Sequence, residues 1–150
     1  MRITIEDQGS APAAPEASAG GVSAAATCGS IRRTIYADAT GGTVWRYAMK
    51  LNWCWNYNVS VYNGSISEIS AYVYAWAGGL GWSYDGVDYS SLTNTTSGGV
   101  NMYLAYSQVA FKYCPYYINC VESVHPYMEL SGQESGWGVV WRWGSGSRIV

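Results

Sequence analysis

From Cys28 onward, apolar and polar residues alternate with a period of two rather than 3.6. Trp45, Tyr47, Met49, Leu51, Trp53 and Trp55 fall on one face of a strand, and Arg46, Lys50 and Asn52 fall on the other. One side of that strand packs and the other is solvated. The same pattern predicts strands at 30–37, 58–62, 66–77, 80–85, 100–113, 122–130 and 137–143. Turn-forming clusters separate them: Asp38 to Gly42, Asn63-Gly64, Gly78-Gly79, Asp85-Gly86, Thr93 to Gly99, and Ser131-Gly132. Neither a long helix nor an internal repeat of about 20–50 residues is visible. Short strands with frequent turns predict an all-β fold, an antiparallel β-sandwich.

The pattern stops short of the N-terminus. Residues 9 to 27 contain no aromatic side chain and only one large aliphatic residue, Val22. Such a stretch buries too little apolar area to offset the entropy of ordering it. Residues 1–27 are therefore expected to be a disordered, Ala/Pro/Gly-rich arm, with the sandwich domain at 28–150. The basic start, Met1-Arg2, is followed by Glu6 and Asp7 with no apolar core of about 7–15 residues, so the arm does not read as an export signal. Arg2 to Glu6 alternate, which would suit docking as a strand on a sheet edge.

Composition sharpens the picture. Aromatic residues make up 15% of the 150 residues and charged residues only 12%, with 14 Tyr against one Phe. About a quarter of an ordinary soluble domain is charged, so this surface must rely on Tyr, Ser, Thr, Asn and Gly. The net charge of −2 lies wholly in the arm, where Arg2 faces Glu6, Asp7 and Glu16, while seven bases balance seven acids in the rest. A neutral body argues against nucleic acid or an anionic membrane surface as the partner. No apolar run approaches the roughly 20 residues of a membrane-spanning helix, so membrane insertion is not expected.

Four cysteines in a charge-poor chain point to an oxidising compartment, hence to a secreted protein. Pairing strands 30–37 and 44–52 around a turn at 39–43 sets Ile35 opposite Tyr47, Ile31 opposite Leu51 and Cys28 opposite Cys54. The apolar face stays aligned throughout. The same register sets Arg32 opposite Lys50, a like-charge pair with a small cost. Cys114 and Cys120 then close a short loop. Loop entropy credits the Cys28–Cys54 and Cys114–Cys120 bridges with roughly 3.5 and ~2.4 kcal/mol. A metal site is disfavoured because the thiols lack any C-x-x-C pair.

Catalytic chemistry is hard to find. His125 is the one histidine, so a Ser–His–Asp triad would have to use it. No Gly-x-Ser-x-Gly elbow accompanies it, and it reads as a strand-end side chain with a polar partner. Ser123, His125, Tyr127 and Glu129 share one strand face, opposite Val124, Met128 and Leu130. Paired carboxylates could make a glycosidase, but Asp38, Asp85, Asp88, Glu68, Glu122, Glu129 and Glu134 show no readable pairing. Asp85-Gly86-Val87-Asp88 lacks the further acids of a calcium loop. No cofactor or metal is expected. Asn58-Val-Ser60, Asn63-Gly-Ser65 and Asn94-Thr-Thr96 match the N-glycosylation pattern.

Aromatic rows carry the strongest signal. Tyr72, Tyr74 and Trp76 are expected on one strand face, Trp137, Trp141 and Trp143 on another, and Trp82 and Tyr84 lie beside Asp85. The Trp set is expected mainly in the core and the Tyr set mainly on the surface. Rings on a low-charge surface stack on sugars or anchor protein partners. Tyr116 and Tyr117, inside the Cys114–Cys120 loop, complete the candidate contact residues.

Trp53-Cys54-Trp55, Gly81 to Gly86 (Gly-Trp-Ser-Tyr-Asp-Gly), Gln108 with Phe111, Cys114 and Cys120, and the Pro126–Leu130 strand resemble a group of small secreted actinobacterial proteins. The resemblance spans roughly 45–143 and implies a disulfide-stapled extracellular β-sandwich. It supplies no functional residue. Proteins of this build serve as adaptors or accessory subunits of secreted assemblies, including toxin particles. The expected function is therefore non-enzymatic binding outside the cell to another secreted protein, with the arm as a docking element. The alternatives are a carbohydrate-binding module on a cell-surface glycan and a small glycoside hydrolase.

Overall fold

The computed structural model describes residues 11–12, 14–15, 27–117 and 119–150. It is an antiparallel β-sandwich with both expected disulfides, Cys28–Cys54 and Cys114–Cys120. The strands are β1 (Ala11–Pro12), β2 (Ala14–Pro15), β3 (Thr27–Ala39), β4 (Gly42–Asn56), β5 (Ser60–Val73), β6 (Trp82–Ser97), β7 (Val100–Tyr113), β8 (Glu122–Val124), β9 (Tyr127–Gln133), β10 (Trp137–Gly144) and β11 (Arg148–Ile149). One helical turn, α1 (Ala75–Gly78), carries the chain from one sheet to the other. Among the described residues, one sheet runs β11-β3-β4-β5 with β2 also on β3, and the other runs β1-β10-β9-β7-β6 with β8 also on β7. They are the β4 sheet and the β7 sheet below.

The first hairpin follows the register expected from its apolar face. Ile35 faces Tyr47, Ile31 faces Leu51, Arg32 faces Lys50 and Cys28 faces Cys54. Ion pairing relieves the like-charge contact, because Arg32 Nε donates to Glu68 Oε1 at 2.7 Å from the next strand but one. Of the segment expected to be an arm, Ala11–Pro12 pairs with β10 and Ala14–Pro15 pairs with β3. Thr27 belongs to β3, opposite Trp55, and the rest of the segment, including the Arg2–Glu6 alternation, lies outside the described residues.

Four expected turns differ. Asn63-Gly64 lies within β5, at a register shift of the β4–β5 pair, so the strands expected at 58–62 and 66–77 are one. Asn63 takes a left-handed φ of 54°, and Gly64 accepts the Tyr103 ring where a Cβ would stand. Asp85-Gly86 is likewise a bulge inside β6, with Gly86 at φ 105°. A bulge and a tight turn both call for positive φ, so the same dipeptide serves either. In the 93–99 cluster only Gly98 and Gly99 turn. β9 continues through Ser131-Gly132, and its turn closes at Gly136.

The core is aromatic. Trp45 and Trp53 are 0% and 1% exposed, and Trp45 stacks on Phe111 of the facing sheet at 4.4 Å between ring centroids. The Trp53 ring lies where a Cβ on Gly132 would be, and its Nε1 donates to the Gln133 carbonyl at 3.0 Å. The expected core set is only partly right, since Trp76, Trp137 and Trp141 are exposed. Gly138 and Val140 point inward, so alternation sets Trp137 and Trp141 outward, and the bulge between Val140 and Arg142 then turns Trp143 toward the core. Tyr47 is the exception among the tyrosines. It is fully buried, donates to the Ser107 carbonyl at 3.0 Å, and burial pushes its hydroxyl pKa up.

Gly132→Ala pushes a methyl group into the buried Trp53 ring and is expected to cost about 1–3 kcal/mol, the range for overpacking. Gly79→Ala, at φ −64° and with only ordinary contacts, is expected to be neutral or to stabilise by up to about 1 kcal/mol. Urea unfolding midpoints of the two variants check this. Equal midpoints would show that Trp53 yields freely.

Candidate functional site

The outward face of the β4 sheet is built by register. Arg148, Tyr36, Arg46 and Tyr72 stand directly opposite one another across β11, β3, β4 and β5. The next outward row is Thr34, Ala48 and Ser70, and the one beyond is Arg32, Lys50 and Glu68. Alternate residues of a strand share a face, so a row of small side chains is walled by two rows of long ones. The result is a depression of about 250 Å³ lined by Arg32, Thr34, Tyr36, Arg46, Glu68 and Tyr72, among others. With a rise of about 3.3 Å per residue, the walls stand roughly 13 Å apart at the backbone.

Each wall is held. The Arg46 guanidinium lies 5.0 Å from the Tyr72 ring centroid and 5.9 Å from that of Tyr74, and the two rings meet edge to face at 5.0 Å. Arg148 sits 3.9 Å above the Tyr36 ring while its Nε donates to Asp38 Oδ2 at 2.9 Å. In the far wall, Arg32 makes a two-point contact with Glu68, and the Ser70 hydroxyl donates to Glu68 at 2.7 Å. Arg32 first and Ser70 second lower the Glu68 pKa to about 2, and Glu68 in turn raises that of Arg32. Among the described residues, no carboxylate pairs with Arg46. Its charge is held by π faces, which leaves its N–H groups for a ligand.

The expected site residues divide. Tyr72 and Tyr74 come together around Arg46, but Trp76 does not extend their row. The Tyr74 N–H still makes a ladder bond to the Val44 carbonyl, but the chain then turns into α1, burying Ala77, and the row stops there. The Trp76 ring covers Gly41, and its Nε1 donates to the Thr43 carbonyl at 2.8 Å. Trp82 stacks on Tyr113 at 5.2 Å and Tyr84 leans on Phe111 at 5.5 Å, so both border the core. Tyr116 is 87% exposed in the Cys114–Cys120 loop, apart from the depression. The side chain of Tyr117 lies outside the described residues.

Arg46, Tyr36 and Glu68 were not singled out in the sequence, although extending the first hairpin's register would have set Tyr36 against Arg46. Polar groups also gather on the opposite sheet. His125 Nδ1 lies 2.6 Å from Asp88 Oδ2, and Ser123 Oγ lies 3.0 Å from His125 Nε2. His125 stands between β8 and β9 with two polar partners, where a strand-end side chain with a polar partner was expected. Glu129 is bound by Arg142 at 3.3 Å rather than by a second acid. No family model, curated protein or solved structure matches the chain.

The Glu68 carboxyl titrates below its unfolded value of 4.5, so its pair stabilises fully above about pH 4.5 and that contribution is lost as the pH falls toward about 2. Both partners are partly exposed, which limits the effect to under about 1 kcal/mol. Melting at pH 5 and pH 2.5 is expected to show a smaller drop for Glu68→Gln than for the native chain. An identical drop would mean that the pair contributes nothing to folding.

Proposed function

We propose that the protein acts by binding outside the cell, and that the depression on the β4 sheet takes an acidic sugar, the charged residue of a glycan. The observation that carries this is Arg46, a cation without a carboxylate partner among the described residues, held over Tyr72 and Tyr74 at the rim of a depression of about 250 Å³. A guanidinium donates two parallel hydrogen bonds to a carboxylate or sulfate. The Tyr36 and Tyr72 rings can pack against sugar C–H faces. The Thr34 and Ser70 hydroxyls in the floor can meet ring hydroxyls. Two disulfides support an oxidising, extracellular setting, as does the resemblance to secreted actinobacterial proteins. No helix among the described residues is long and apolar enough to cross a membrane.

A protein-adaptor role has its own support in β6, the sixteen-residue outer strand of the β7 sheet. Its second half pairs with β7 without a register shift, and its outer edge, unpaired among the described residues, can accept a partner's strand. An open edge is common to many sandwiches, whereas the register-built cation and ring row is specific, so the glycan is preferred.

Titration calorimetry with an oligouronate and with a neutral oligosaccharide of the same length tests the proposal. Binding of the oligouronate is expected, weakening with salt, and both Arg46→Ala and Tyr72→Ala are expected to lower affinity about ten-fold or more, the factor for roughly 1.4 kcal/mol. Equal affinity for the two sugars, or none for either, would overturn it.

A further inference from the structure

The side chains gathered on the β7 sheet form a hydrogen-bonded relay, and we propose that Ser123, His125 and Asp88 constitute a second, chemically active site that hydrolyses small acyl esters. Ser123 Oγ is 3.0 Å from His125 Nε2, and His125 Nδ1 is 2.6 Å from Asp88 Oδ2. Nucleophile, base and orienting carboxylate thus follow in the order that acyl transfer needs, with each contact on the chemically appropriate ring nitrogen.

Three local features build the relay. Ser123 and His125 are alternate residues of one extended segment and so share its outward face. Pro126 restricts His125 to extended backbone, and the Val109 N–H bond to the Pro126 carbonyl holds the segment on β7 at 3.0 Å. The same register runs through β8 and β9, so His125 falls opposite Ala110. On the other side of Ala110, β6 departs from regular pairing between Tyr84 and Gly86 and again between Val87 and Tyr89. Asp85 and Asp88 are the extra residues of those bulges. Asp85 meets Lys112 at 3.2 Å, and Asp88 reaches past the small Ala110 to His125. Bulges re-aim side chains beside functional sites, and here two fall within a few residues.

The surroundings supply the remaining parts of a reaction site. Lys112 is the register partner of Ser123, but its ammonium is bound to Asp85 of β6, so it adds positive charge near the site without touching the nucleophile. Tyr127 continues the row of Ser123 and His125. It stacks with Tyr106 at 6.2 Å, and Tyr106 meets Tyr89 at 5.8 Å, with Arg142 5.2 Å above Tyr106. This platform suits the alcohol part of an ester that carries a ring, such as an O-acylated sugar.

In the reaction, Ser123 Oγ bonds to the acyl carbon as its proton passes to His125 Nε2. The C–O bond to the alcohol breaks, and the alcohol leaves with that proton. Water then gives a proton to Nε2, bonds to the acyl carbon and releases the acid, and the proton returns to Ser123. Ester and water become acid and alcohol, with no other reactant. Asp88 is a positioning residue that holds the imidazole tautomer.

A fluorophosphonate probe and p-nitrophenyl acetate test the site on the full chain. Peptide mass spectrometry is expected to find the phosphonyl adduct on Ser123. Adduct formation and ester hydrolysis are expected to fall at least a hundred-fold in Ser123→Ala and His125→Ala, with added imidazole restoring part of the labelling in the latter. Asp88→Ala is expected to slow labelling at least ten-fold and Asp88→Glu to recover part of it, while melting temperatures stay near the native value. Absence of an adduct on the folded native chain, labelling undiminished in His125→Ala, or hydrolysis that survives Ser123→Ala would each overturn the proposal. Neither readout involves the β4-sheet depression, so failure here leaves the glycan site untouched.

Discussion

The sandwich depends on one contact between its sheets, the Trp53 ring of β4 occupying the space where a side chain of Gly132 in β9 would stand. Facing sheets pack about 10 Å apart, and an indole pointing straight across that gap leaves no room for a side chain opposite. Glycine solves the steric problem, and the Gln133 carbonyl accepts the indole N–H so that no polar group is stranded. The device recurs. Trp55 occupies the Cβ direction of Gly136, Ile31 that of Gly138 and Ile35 that of Gly146. Where no glycine faces a large ring, as at Trp45, a second ring stacks on it instead. The unusual composition therefore has a mechanical origin, in which bulk on the β4 sheet is matched by glycine on the β9, β10 and C-terminal backbone.

Such a core frees the outward faces from contributing much to stability, because the apolar area lies between the sheets. Their side chains are mostly Tyr, Arg and small polar groups, tied by cation–π contacts and scattered ion pairs that are individually worth little in water. The Arg148–Tyr36–Arg46–Tyr72 row is the clearest case. It crosses four strands in register, yet Arg46 and Tyr72 remain exposed.

Local pairing was legible in the sequence and long-range geometry was not. The β3–β4 register followed from keeping Ile31, Ile35, Tyr47 and Leu51 on one face, and the Cys28–Cys54 bridge came with it. The face shared by Ser123, His125, Tyr127 and Glu129 was equally legible, because simple alternation holds there. Asn63-Gly64 and Asp85-Gly86 were misread, since φ preference reports the backbone shape of a residue and not whether the chain reverses. That error hid the relay. A bulge shifts the parity of every following residue, so Asp88 could not be assigned a face without knowing that two register breaks precede Tyr89. Trp76 failed for a related reason, as nothing in Tyr72-Val-Tyr-Ala-Trp marks where β5 gives way to a helical turn.

Both candidate sites share an element that neither motif nor composition would flag, an alanine at mid-strand on the outward face of a central strand. Ala48 of β4 and Ala110 of β7 are each 3% exposed although they point away from the core. What covers them is the convergence of longer side chains from the flanking strands. Around Ala48 these are Arg32 and Tyr36 of β3 and Tyr72 of β5, joined by Arg46 of β4 itself, and over Ala110 they are Asp88 and His125. Strands about 4.8 Å apart set residues two strands away roughly 10 Å apart. Arg32 spans that gap to Glu68 past Lys50 because it is long, whereas the short Asp88 reaches His125 only because Ala110 between them is small. An outward alanine such as Ala110 is therefore a structural opening of a particular kind. It sacrifices the packing of one side chain so that two others, distant in sequence, can face each other across it.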